Sequence, residues 1–239
     1  IAVPSRLKEL RTAAKTSGHQ VEVIAPDDPI PAPSEQAVVT EQISLKQCEA
    51  ALLYTSGTTG SPKGCVLSNT YFLCAGRWYA DLGGLANLSV DRKERMITPL
   101  PVFHMNAMAY SFMAMVAVGG CLIALDRFHP KTWWSDVAAS GATCLHYLGI
   151  MPSVLMGFPE QAVDRTHQVR FGFGAGVDPK LQKNFEARFG FPLIEAWAMT
   201  ETGAGAVIAA YQLDRLVGQA TIGKPEGWVE AKIVDDEGA

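Results

Sequence analysis

Apolar and polar positions alternate between two periods along this chain, and the alternation maps most of its elements. Arg6 to Thr16 carries helical spacing, and Val21-Glu22-Val23-Ile24-Ala25 alternates as a strand does. Ala50-Ala51-Leu52-Leu53 predicts a buried strand, and Cys65-Val66-Leu67 predicts a second one. Helices are expected near Thr70 to Asp81 and Lys131 to Ala139, with strands at Thr143–Tyr147, Leu193–Trp197, Ala206–Ala209 and Val229–Val234. The best-defined helix follows Asp178: an acidic N-cap, Pro179 in the first turn, Leu181 and Phe185 four apart, and Gly190 as terminator. Residues 26–36, rich in Pro, Asp and Ser, read as a loop or linker. No internal repeat is visible. The pattern predicts an α/β fold with mixed sheets flanked by helices.

One apolar run tests that reading. Ile97 to Leu125 contains no Asp, Glu, Lys or Arg, and Ala107 to Leu125 is long enough to span a bilayer. His104 and Asn106 precede it, however, and Gly119-Gly120 breaks it before the strand-like Cys121-Leu122-Ile123-Ala124-Leu125. A core helix, a glycine turn and a buried strand account for it, so no membrane span is expected.

Composition narrows the class. With 239 residues, 48% of them apolar, the chain can bury a substantial core in one large domain or two small ones. A net charge of −4 without a basic run excludes nucleic acid and anionic membrane as main partners. Five cysteines without a Cys-x-x-Cys speak against a disulfide framework and for a reducing, cytoplasmic setting. His19, His129, His146 and His167 lack ligand spacing to each other or to cysteines, so no structural metal site is expected.

The most informative stretch is Tyr54-Thr55-Ser56-Gly57-Thr58-Thr59-Gly60-Ser61-Pro62-Lys63-Gly64. Glycines let backbone N–H groups approach an anion closely, hydroxyls donate to phosphate oxygens, and Lys63 adds a charge on a flexible stem. The spacing is not that of the nucleotide-hydrolase loop, which needs Gly, four residues, then Gly-Lys-Ser/Thr opening a helix. Pro62 biases Ser61 away from helix and Gly64 disfavours one after the lysine, so the loop is expected to close as a flap between two strands. Gly218 to Lys224 has the hydrolase spacing, but Pro225 stands where a hydroxyl residue is required. Further on, Phe171-Gly172-Phe173-Gly174-Ala175-Gly176 predicts a strand whose end lets a flat group lie against bare backbone. Its glycine spacing, leading into Val177-Asp178-Pro179, does not make a dinucleotide fingerprint.

The loop resembles the signature of the adenylate-forming superfamily, (S/T)SG(S/T)TGxPKG, at Thr55, Ser56, Gly57, Thr58, Thr59, Gly60, Pro62, Lys63 and Gly64. Companion segments follow in the family's order. Leu100-Pro101-Val102-Phe103-His104 resembles the segment at the mouth of the carboxylate pocket, which implies that His104 gates and orients the acyl group. Gly174-Ala175-Gly176 resembles the adenine-contacting segment. Glu195-Ala196-Trp197-Ala198-Met199-Thr200-Glu201 resembles YGxTE, implying Thr200 on the α-phosphate and Glu201 as the Mg²⁺ ligand. Trp197 replaces the usual tyrosine and keeps a ring to stack on adenine. Ala198 replaces glycine and adds a methyl near the nucleotide or the acyl tip.

The resemblance implies the core of an AMP-binding domain, a fragment of the family's large N-terminal domain. Family members carry further elements before it, and after it a ribose-binding aspartate and a small domain with a catalytic lysine. The expected activity is ATP-dependent conversion of a carboxylic acid to an acyl-adenylate, then thioester formation with coenzyme A. ATP/AMP and Mg²⁺ are the implied cofactors, Lys63, His104, Thr200 and Glu201 the implied catalytic residues, and a homo-oligomer is compatible. The alternative is a nucleotide- or acyl-adenylate-binding module without turnover.

Overall fold

A computed structural model describes residues 4–18, 22–29, 31–32, 44–55 and 61–238. The chain divides into two compact units, Ile1–Gln42 and Ile43–Ala239. The first contains helix α1 (Leu7–Thr16), with no buried residue. The strand expected at Val21–Ala25 does not form over its described residues, 22–25. Their backbone is spent locally instead. Ala25 N donates to Asp28 Oδ2 at 2.7 Å and Asp28 N donates to Ala25 O at 3.1 Å, which makes a turn where a ladder would need a neighbour. Of the expected loop at 26–36, the described residues 26–29 and 31–32 carry no helix or strand.

The second unit opens with an antiparallel hairpin, β1 (Glu49–Thr55) and β2 (Lys63–Ser68). Here the expectation of a buried strand ahead of the phosphate loop is corrected. Leu53 and Leu67 are buried in the core with Ala51 and Cys65 packed partly buried against it, while Leu52, Tyr54 and Val66 lie on an exposed face. The period-two pleat puts alternate side chains on opposite faces, so an unbroken apolar run in a two-stranded ribbon leaves half of itself outside. Ser68 caps the helix that follows, α2 (Asn69–Asp81), by accepting from Tyr71 N at 3.3 Å.

The main sheet has six strands in the order β4–β3–β5–β6–β7–β8. They are β3 (Arg95–Thr98), β4 (Cys121–Ala124), β5 (Cys144–Leu148), β6 (Phe171–Ala175), β7 (Leu193–Trp197) and β8 (Ile208–Ala209). All pairings are parallel except β7 with β8. Alternation along these strands feeds two cores. Met96, Cys144, Phe171, Phe173 and Ile194 pack on the side of α2 and α3 (Met113–Val118). Ile97, Leu145, Tyr147 and Leu193 pack on the side of α4 (Trp133–Ser140), α5 (Ile150–Met156) and α6 (Pro179–Phe189). The central strands β5 and β6 are buried on both faces, as parallel strands inside a sheet are, while the edge strand β4 has no buried residue.

Helix α6 keeps the expected ends: Asp178 Oδ1 accepts from Lys180 N at 2.9 Å, and Gly190 ends it at φ 83°. The apolar run forms helix, turn and strand, with its first part, Asn106–Phe112, wound as a π-helix ahead of α3. Among the described residues no helix is long and apolar enough to cross a membrane. Two expected strands shrink or vanish. Ala206 belongs to a 3-10 turn, leaving Ile208–Ala209 as β8, and Val229–Val234 forms no strand. Ile233 is 98% exposed, and among the described residues no ladder pairs this segment.

Candidate functional site

The carboxyl ends of parallel strands leave backbone groups facing outward, and β5, β6 and β7 end together here. Two glycines allow the close packing. A Cβ on Gly149, just after β5, would run into the Gly176 carbonyl, and one on Gly174 would run into the Tyr147 carbonyl. Glu195 then fixes the turn beyond β6. Its buried carboxylate accepts from Gly176 N at 2.8 Å, from Val177 N at 3.2 Å, and from the Tyr147 hydroxyl. Burial, then the Glu195 charge, pushes the Tyr147 pKa well up, so the phenol stays a donor.

Against these ends lies a cavity of about 180 Å³, lined by His104, Tyr110, Phe173, Gly174, Ala175 and Ala198 among others. The structure thus brings His104 together with Gly174 and Ala175. Ala196 and Ala198 both line it, while Trp197 between them does not and is 41% exposed. Strand alternation makes that separation: the small side chains face the cavity and the indole faces the other way.

His104 is exposed, and its Nδ1 accepts from Asn106 N at 3.4 Å. The segment is anchored from behind by His146 on β5. His146 Nδ1 lies 2.6 Å from Asn106 Oδ1 and 2.7 Å from Ser111 Oγ, and Nε2 lies 3.0 Å from the Tyr79 hydroxyl. The ring also stacks against Tyr79 and against Phe173, whose own centroids lie 4.6 Å apart. Burial drives its pKa down to about 3, so the imidazole is neutral. An amide oxygen only accepts, so Nδ1 carries the proton and Tyr79 donates to Nε2.

The remaining expected residues that the structure describes do not line this cavity. Ser56, Gly57, Thr58, Thr59 and Gly60 lie outside the described residues. Thr55 and Lys63 pair across the hairpin at the two ends of that loop, with Lys63 exposed. Thr200 is half-buried and Glu201 exposed on the turn after β7. Tyr71 of α2 connects the two regions. Its hydroxyl reaches Met105 Sδ at 3.9 Å, and its ring fills the space a Cβ on Gly203 would need. Burial first, then Cys65 and Glu201, raises its pKa to about 12, which places the Glu201 charge close by.

Among the described residues no three His, Cys, Asp or Glu side chains converge as a metal cluster. Thr200 and Glu201 offer hard oxygen donors, which fits a cation that takes one or two carboxylates and completes its shell with phosphate oxygens and water. A larger groove of about 1040 Å³ flanks α2, lined by Ser68, Arg77, Trp78 and Trp228 among others, and it carries none of the expected site residues.

Sequence reasoning missed Tyr71, His146 and Glu195 as builders of this site. Glu195 stood inside a recognised segment, but its partners lie 18 to 48 positions away.

The family model for AMP-binding enzymes matches residues 3–239. The chain belongs to the AMP-binding enzyme family. Within the family, it is 32% identical over 170 residues to a very long-chain fatty acid transport protein of Cochliobolus heterostrophus, covering 70% of this chain and 25% of that one. It is 31% identical over 196 residues to the sulfoacetate–CoA ligase of Cupriavidus necator, covering 79% of this chain and 36% of the ligase. This AMP-binding chain therefore spans a quarter to about a third of the length of these relatives. The fold is shared with ATP-bound MatB from Rhodopseudomonas palustris at a TM-score of 0.74 and 24% identity, over 98% of this chain and 46% of that one. The expected α/β architecture and superfamily both hold.

Proposed function

We propose that this chain carries the nucleotide- and acid-binding core of an acid–CoA ligase. The observation that carries the reading is the cavity that joins His104 to the carboxyl ends of β6 and β7, with the Thr200–Glu201 turn directly beyond β7. Similarity to a CoA ligase over most of this chain supports it.

In this reading a carboxylate oxygen attacks the α-phosphorus of ATP, the bond to the bridging oxygen breaks, and pyrophosphate leaves. The thiol of coenzyme A then attacks the acyl carbonyl and AMP departs. The Thr55–Gly60 loop and Lys63 hold the phosphates, with Lys63 on the departing pyrophosphate. Gly174, Ala175 and Gly176 give adenine a flat backbone face, and Trp197 stacks on it from the face away from the cavity. Thr200 donates to the α-phosphate, and His104 orients the incoming acid at the cavity mouth. Mg²⁺ bound at Glu201 would neutralise phosphate charge as two anions are brought together. The free state of all five cysteines fits a reducing, cytoplasmic setting.

The test is carboxylate-dependent ATP–pyrophosphate exchange by the full-length protein across a panel of acids. Exchange with at least one acid, abolished when acid is omitted, is the expected result. ATP binding without exchange for any acid would refute ligase activity.

A further inference from the structure

The wall of the cavity behind His104 includes a buried side chain whose polar group has no partner within the protein. Tyr110 lines it from the π-helical segment, is 4% exposed, and its hydroxyl has no hydrogen-bond partner. Buried hydroxyls are almost always paired, because leaving one unmade forfeits its solvation with no return. Two other polar atoms of the lining residues are engaged within the protein. Asn106 Oδ1 is engaged by His146, and His104 Nδ1 by Asn106 N. The remaining wall is apolar, with Leu148, Phe173, Ala175, Ala198 and Val207.

Size limits the occupant as firmly as polarity does. At about 180 Å³ the cavity is smaller than the roughly 300–1,000 Å³ of ordinary small-molecule pockets, which suits a compact tail. A compact tail suits it better than a long alkyl chain does.

We propose that Tyr110 is a specificity-determining residue, whose hydroxyl donates a hydrogen bond to an oxygen carried in the tail of a compact carboxylic acid. This rests on reading the cavity as the seat of the acid's tail. Burial first, and then Tyr71, raises the Tyr110 pKa, so the group remains a protonated donor at neutral pH. An apolar tail of equal size leaves that donor unpaired, and a site built to hydrogen-bond rejects the analogue that lacks the partner. A trapped water is the competing occupant; it would satisfy the hydroxyl without reading the acid.

The experiment compares 4-oxopentanoate with its near-isostere 4-methylpentanoate, and both with decanoate, in ATP–pyrophosphate exchange by the full-length enzyme. Wild type should favour the oxo acid at least tenfold in kcat/KM and leave decanoate unused. Tyr110→Phe, which keeps the ring, should bring the ratio of the two short acids close to one. A ratio unchanged by Tyr110→Phe, as a trapped water would give, overturns the assignment while leaving acid activation intact. A wild type that prefers the methyl acid or decanoate overturns it without any variant. Exchange with no acid at all would refute the activation reading, and this assignment with it.

Discussion

The buried imidazole of His146 gives the fold a pH dependence that can be worked out beforehand. Its pKa falls from 6.5 to about 3 on burial, so the unfolded chain takes up the proton first. The native state therefore keeps its full stability above about pH 6.5 and loses it progressively as pH drops toward 3. At pH 5 the unfolded form is favoured by RT ln[(1 + 10^1.5)/(1 + 10^−2)], which is about 2 kcal/mol. For a chain of this size that corresponds to roughly 4–8 °C in Tm. Tyr79 is the titratable side chain hydrogen-bonded to the ring, and burial raises its pKa, so it stays neutral throughout. His146→Gln removes the titration while keeping an amide that can donate to Asn106 and accept from Tyr79. Urea unfolding followed by tryptophan fluorescence at pH 8 and pH 5 measures both proteins. Wild type should lose about 2 kcal/mol more than the variant over that interval. Other titrating groups contribute equally to both and cancel. Parallel pH profiles would show that His146 is not the buried neutral group described here.

Glu195→Gln should cost about 1.5–3 kcal/mol, since an amide NH₂ would face the Gly176 or Val177 N–H in place of an accepting oxygen; denaturant unfolding measures it, and an unchanged midpoint would refute the anchoring role. Lys63→Ala should depress pyrophosphate exchange while changing stability by no more than about 0.5 kcal/mol, because the side chain is exposed; wild-type exchange kinetics would remove Lys63 from the phosphate site. Glu201→Gln should raise the Mg²⁺ concentration needed for half-maximal exchange, and Thr200→Val should cost about 1.5–3 kcal/mol in kcat/KM. An unaltered Mg²⁺ titration together with unaltered rates would sink both roles.

What the sequence made legible is local. Helix α6 was readable from end to end because a cap, a proline, two apolar positions and a terminating glycine all lie within one segment. In the main sheet β5 and β6 were readable because each is buried on both faces, whereas the short β3, Arg95–Thr98, was not read as a strand. Val229–Val234 alternates apolar and charged positions as a strand can but has no ladder to join among the described residues, and side-chain pattern alone does not report whether a neighbour exists. The hairpin shows the complementary gap: its two strands were expected, but not that one face stays outside. The π-helical winding of Asn106–Phe112 has no sequence signal of its own. The residues that build the site from behind were hidden for a further reason. His146 meets Asn106 and Tyr79 from 40 and 67 positions away, so its role exists only once three elements have packed.

The register of β7 couples the anchoring of the site to its chemistry. Along Glu195-Ala196-Trp197-Ala198 one side faces the cavity with two methyl groups and the other carries the carboxylate and the indole. A slip of one residue would turn Trp197 into the cavity and Ala198 out of it, because side-chain period in a strand is two. Glu195 resists that slip in two directions. Its carboxylate grips Gly176 N and Val177 N beyond β6, while its carbonyl accepts from Ala210 N at 2.9 Å beside β8. Tyr147 adds a third tie from β5, donating to the carboxylate and to the Ile194 carbonyl. If Trp197 stacks on adenine while Ala196 and Ala198 make room for the acid, one buried glutamate keeps the two substrates on opposite faces of one strand. Losing it should therefore impair use of both substrates together, raising the KM for ATP and for the acid alike. A Glu195→Gln enzyme in which only one of the two KM values moves would separate the register from the chemistry and refute that coupling.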